Sequence, residues 1–120
     1  MSYLNKLKTV TDMIRNSSER INQVTTDPTA IKPSNNSVSV WIKPPEVEWE
    51  LFNEPGYTFT FYLVAGRPFS KNNAALELLE TIEDMSAARL NMSYAHPAEF
   101  TVEGIGDLAA YEISLKPLDL

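Results

Sequence analysis

The stretch from residue 46 to residue 65 limits the fold of this chain more than any other. It reads EVEWELFNEPGYTFTFYLVA, two runs of apolar–polar alternation around a turn signal. A period of two puts successive side chains on opposite faces of a strand; a helix would scatter the same residues around its circumference. In 46–52, Val47, Trp49 and Leu51 share one side and Glu46, Glu48 and Glu50 the other. Asn53-Glu54-Pro55-Gly56 has turn chemistry. In 57–65, Tyr57, Phe59, Phe61 and Leu63 oppose Thr58, Thr60, Tyr62 and Val64. The two segments read as a hairpin, with Trp49 on its core side.

The flanking segments complete an α+β pattern. Residues 3–25 read as one amphipathic helix, with Ser2 as N-cap. Leu7, Ile14 and Ile21 repeat every seven residues, Val10 and Val24 lie on the next seam, and Leu4 and Met13 widen the stripe. Asp27-Pro28 ends it. That stripe packs either on the sheet or partly on a neighbouring subunit. Residues 26–37 form an irregular loop, either a mobile arm or an ordered excursion. A strand at 38–43 carries Val38, Val40 and Ile42 on one face and Trp41 on the other, and Pro44-Pro45 interrupts its pairing. Gly66-Arg67-Pro68 breaks the chain before a second helix at 72–89, capped by Ser70 or Asn72. The stripe of that helix is read as Ala75, Leu76, Leu79, Ile82 and Leu90, with Leu78 and Met85 at its edges. Glu77, Glu80, Glu83 and Asp84 make its exposed face. Strands at 92–103 and 108–115 form a last hairpin around Gly104-Ile105-Gly106-Asp107, and Pro117 ends it. The expected architecture is one domain over 1–120: an antiparallel sheet with two helices on one face, in the order α-β-β-β-α-β-β.

Catalytic machinery is hard to assemble from this inventory. Cysteine is absent, so thiolate metal sites and cysteine nucleophiles are excluded. His96 is the one histidine; it reads as structural or simply exposed. The four glycines sit at strand ends, and Gly104-x-Gly106 opens no helix, so no phosphate loop is present. No catalytic, cofactor-binding or metal-binding residue is assigned, and the chain is read as a non-enzyme. No run approaches the roughly 18 apolar residues of a membrane helix.

Charge points to association. Net charge is −6, which argues against a sequence-reading DNA-binding domain. Residues 1–43 hold six basic and three acidic residues, whereas 44–120 hold four basic and thirteen acidic. Glu46, Glu48 and Glu50 stand about 7 Å apart along one strand face. They read either as a solvated face or as an acidic wall that repels phosphate or meets a basic partner. Trp41 is either a partner anchor or a cover for the Pro44-Pro45 kink. Arg15 and Arg20 are candidates, with Trp41, for a subunit or partner interface.

Element order, size and the closing strand give a resemblance. A polar N-terminal helix, a long loop, a wide hairpin (VSVWIKPPEVEWELF…YTFTFYLVAG), an acidic helix (NNAALELLETIEDMSAARL) and a last hairpin (EFTVEGIGDLAAYEISL) follow one another. The arrangement resembles the tail-terminator proteins of long-tailed bacteriophages, the siphophage type of tail completion protein. The resemblance implies a non-enzymatic virion protein, assembled in the host cytoplasm as a hexameric ring. The ring would cap the tail tube, stop its polymerisation and meet a head-connector protein. DNA would pass through the hole without sequence-specific binding. The implied partners are therefore other copies of the chain, the tail-tube protein and the connector. No site residue is carried over from the family. A ring needs two different complementary patches on each subunit, and the basic 1–43 and acidic 44–120 segments supply opposite signs. The competing reading is a non-viral adaptor or assembly chaperone acting as monomer or dimer.

Overall fold

A computed structural model describes residues 3–32, 37–51, 54–66 and 71–116. The expected caps at Ser2 and at Ser70 or Asn72 lie outside the described residues or side chains. So do the break at Arg67-Pro68, the stop at Pro117, residue 53 of the first turn, and positions 33–36 of the loop. The elements are α1 (Tyr3–Ser17), β1 (Ile21–Thr25), β2 (Val38–Ile42), β3 (Glu46–Leu51), β4 (Glu54–Thr58), β5 (Thr60–Ala65), α2 (Lys71–Ala87), β6 (Met92–Val102) and β7 (Gly106–Leu115). The chain is α+β as expected, but its order is α-β-β-β-β-β-α-β-β.

The first added strand comes out of the expected long helix. α1 stops at Ser17, and Ile21–Thr25 pairs in parallel with β2. Serine chemistry makes the break. Ser17 Oγ donates to the carbonyl of Ile14 (2.6 Å), and the Ser18 hydroxyl accepts from the amide of Arg20 (3.2 Å). Such side-chain bonds offer the backbone an alternative to continuing the helix. The residues that follow include the β-branched Ile21, Val24 and Thr25, which suit a pleated surface. Ile21 is buried as expected, but from a strand. A parallel pair needs a crossover of about a dozen residues, and the 26–37 segment supplies it. Its first part is ordered. Asp27 caps a 3-10 turn at Pro28–Ala30, Gln23 Nε2 donates to the carbonyl of Ala30 (2.6 Å), and Ile31 is buried.

The second added strand takes Glu54-Pro55-Gly56 from the expected turn, where they pair with β3 instead, and Tyr57-Thr58 from the expected strand 57–65. β4 ends at Thr58 and β5 begins at Thr60, in different sheets. Five strands make the main sheet, in the order β1-β2-β5-β7-β6, and β3-β4 form a separate two-stranded ribbon. Pro44-Pro45 on one side and Phe59 on the other mark the exit from sheet to ribbon. At that exit Lys43 N donates to the carbonyl of Thr60, and Leu115 N to that of Phe59 (both 2.9 Å).

One face of the main sheet carries the principal core. Val38, Val40 and Ile42, Phe61, Leu63 and Ala65, and Ile113 and Leu115 meet Val10 and Ile14 of α1 and Ala74, Leu78 and Met85 of α2. The buried stripe of α2 is Ala74, Leu78, Thr81 and Met85, so Leu78 and Met85 are its centre. Leu76 and Leu79, expected in the stripe, are exposed. Thr81 concealed this spacing: its hydroxyl is buried because it donates to the carbonyl of Glu77 (2.8 Å). Leu4, expected to widen the α1 stripe, is also exposed. The opposite face carries a smaller core of Ile31, Val64, Phe100, Leu108 and Ala110, with Trp41 and Tyr62 against it. The β6–β7 hairpin forms as expected. Its turn is tight because Gly104 and Gly106 adopt positive φ (81° and 110°), which costs glycine little.

Candidate functional site

The ribbon stands out from the rest of the fold. Glu46 pairs with Thr58, Val47 with Tyr57, Glu48 with Gly56 and Trp49 with Pro55. Cross-strand partners share a face, so Val47, Trp49, Pro55 and Tyr57 line one side. Glu46 and Glu48 are exposed on the other. The side chain of Glu50 lies outside the described residues. Trp49 was expected in the core; instead it is 65% exposed, and Val47 is 36% exposed. The reason is topological. Val47 and Trp49 do share a side, but the ribbon has left the sheet, so the helices do not cover the outer part of that side. Among the described residues, cover is given at the base. Tyr3 of α1 packs on Tyr57 (ring centroids 5.5 Å), and the Lys6 ammonium lies 4.9 Å from the centre of the same ring. Exposure rises outward, from half-buried Tyr57 through Val47 to Trp49.

The expected interface residues do not come together. Arg15 is exposed on the last turn of α1, where a cation suits the helix dipole. Arg20 faces α2, where its guanidinium pairs with Glu77 (3.3 Å), Glu80 and Asp84 (3.5 Å). Partial desolvation works against this charge, but the Glu80, Glu77 and Asp84 carboxylates outweigh it and raise the Arg20 pKa. Ser18 Oγ donates to Asp84 (2.7 Å) beside it. Arg20 thus joins the start of β1 to α2 within one chain.

Trp41 is built into the second face of the sheet. Its ring is half-buried, edge-on to Tyr62 (5.4 Å) and tilted against Phe100 (5.7 Å). Its Nε1 donates to the carbonyl of Thr26 (3.1 Å). Trp41 therefore ties the crossover loop to the second face of the sheet. Beside it, Tyr62 and Tyr94 both donate to the Glu112 carboxylate (3.1 and 3.2 Å). His96 pairs across the strands with Glu112, is exposed, and packs on Tyr94 (4.4 Å).

Among the described residues, no group of three or more His, Asp or Glu is placed to hold a metal. No described helix is long and apolar enough to cross a membrane. The arrangement offers surfaces for association. Sequence reasoning singled out the glutamates of the ribbon and missed Trp49. The signal for it was the Pro44-Pro45 pair, which marks where the ribbon parts from the sheet. No known family model matches the chain, and no curated protein matches it.

Proposed function

We propose that this chain is a non-enzymatic structural protein that closes into a ring, caps a phage tail tube and presents its other face to a head connector. The observation that carries this reading is the β3–β4 ribbon, an arm with a bare apolar side. An isolated two-stranded hairpin is marginal in water, and an exposed Trp-Val surface is what an assembly contact uses. The segregation of basic 1–43 from acidic 44–120 suits head-to-tail contacts, which join unlike patches. Glu46 and Glu48, on the open side of the arm, suit a DNA conduit, because a carboxylate wall does not hold phosphate.

The test has two parts. Native mass spectrometry and negative-stain imaging of the purified chain should show a closed ring, of about six copies by the resemblance described above. Addition of the ring to a polymerising tail-tube protein should shorten the tubes. A chain that stays monomeric or dimeric at every concentration, or that leaves tube length unchanged, overturns the proposal; the first outcome returns the adaptor reading.

A further inference from the structure

We propose that the arm docks on a second copy of this chain, with its Val47–Trp49 side seated on the outer stripe of that copy's α1, at Leu4 and Lys8. This rests on the self-assembly reading above and names the contact that reading requires.

Three observations select the occupant and the seat. The first is continuity. Within one chain, α1 already covers the base of the arm, with Tyr3 on Tyr57 and Lys6 over the same ring. The outer part of that apolar side is left bare, with Trp49 65% exposed. A second α1 laid beyond the first extends a contact the molecule already makes. The second is the surface offered. Leu4 is 72% exposed on α1, and Lys8, one turn on, is exposed beside it. A leucine and a lysine stem give an indole apolar area, and the ammonium can lie over the ring face. Lys6 and Tyr57 show the same pairing inside one chain.

The third observation is charge, which chooses between the two exposed apolar patches of the helical layer. Residues 46–58 of the arm carry four glutamates and no lysine or arginine. The other patch, Leu76 and Leu79 on α2, stands beside Glu80, which is shared with Arg20, and exposed Glu83, which would repel the arm. α1 carries Lys6, Lys8 and Arg15 against Asp12 alone. With the apolar side down, Glu46 and Glu48 remain on the open side, across the thickness of the ribbon from Lys8 and Arg15. At low ionic strength the Debye length exceeds that separation, so the attraction acts across the ribbon. The charges therefore steer the arm to α1, and Trp49 supplies the grip. The contact joins unlike surfaces, so it propagates from copy to copy.

Two exposed positions test this without touching the core. Trp49→Ala removes the arm's anchor, and Leu4→Asp spoils the seat; circular dichroism should show both variants folded. Each alone should be monomeric where the wild type is assembled, with the junction at least about 30-fold weaker. A 1:1 mixture should then form a heterodimer, because a good arm from one variant meets a good seat on the other. Sedimentation velocity reads all of these states. Assembly of Trp49→Ala like the wild type overturns the arm contact and leaves the ring reading standing. Loss in Trp49→Ala with wild-type assembly of Leu4→Asp places the arm elsewhere and overturns the seat. Two monomeric variants whose mixture stays monomeric also overturn it. A wild type that is monomeric throughout overturns the self-assembly reading itself, and this contact with it.

Discussion

Tyr62 shows how a polar group is accommodated on the second face of the sheet. Its hydroxyl donates to Glu112, which also accepts from Tyr94, so one carboxylate on β7 links β5 to β6. Desolvation, the hydrogen bond to Glu112 and the nearby carboxylate charge together hold the Tyr62 phenol above its ordinary pKa of 10.0. A raised folded-state pKa means that the folded form binds the proton more tightly than the unfolded chain. The stabilisation is therefore complete below the ordinary value and is lost as pH rises through the raised one. At neutral pH, Tyr62→Phe should cost about 1 kcal/mol, the usual worth of such a bond. Above about pH 10 the gap between wild type and Tyr62→Phe should narrow as pH rises, because the unfolded chain then releases a proton that the folded wild type holds. Urea midpoints of both proteins across that range check the sign. A gap that is constant or widening would mean that Glu112 does not control this phenol.

At the scale of elements, the least expected piece is the joint between α1, β1 and α2. Arg20 follows directly on the serine break and reaches three carboxylates that recur along one side of α2. Without it, Glu77, Glu80 and Asp84 would face one another across i+3 and i+4 spacings, which is unfavourable. Arg20 is more than a third exposed, so screening reduces what the cluster contributes. Arg20→Ala should lower stability by about 1 kcal/mol in dilute salt. That loss should shrink as salt is raised, since the attraction and the exposed repulsion are both screened. Arg20→Lys should recover only part of it, because an ammonium lacks the fork that reaches several carboxylates at once. Denaturant midpoints at low and high salt measure all three proteins.

This joint also marks the limit of what periodicity reveals. The spacing of Leu7, Ile14 and Ile21 is helical, and Ile21 is buried, yet it is buried from a strand. A seven-residue repeat cannot register a backbone break made by two serine hydroxyls. The stripe of α2 was misplaced for a related reason, since Thr81 is buried through a bond to its own helix. Strands were easier. Phe61, Leu63, Ile113 and Leu115 lie on the face their alternation assigns, because the period of two alone decides it. Alternation does not tell whether a face will be covered, so Trp49 was legible as one-sided and illegible as exposed. Arg15 and Arg20 were chosen from the charge of the 1–43 segment and Trp41 from its strand face, neither of which tells which elements the fold brings together.

At the scale of the whole molecule, the chain divides into a body and an arm. The body contains the principal core, and its sheet is complete without β3 and β4. The arm adds no strand to that sheet, and its described link to α1 is made at Tyr57. A part that contributes little to the core yet exposes Trp49 and Val47 suits a contact made outside the monomer better than folding of the monomer. This separation predicts the result of replacing residues 46–56 with a short Gly-Ser linker while retaining Pro44-Pro45 and Tyr57. The body should keep its circular dichroism and lose less than about 1 kcal/mol, because changing the length of a surface connection costs little. The shortened chain should sediment as a monomer at concentrations where the wild type assembles. A body that unfolds without the arm would make β3 and β4 part of the cooperative unit, and the exposure of Trp49 would then lie within a folding element. An arm that can be removed from the fold but not from the assembly is what the division at Pro44-Pro45 and Phe59 requires.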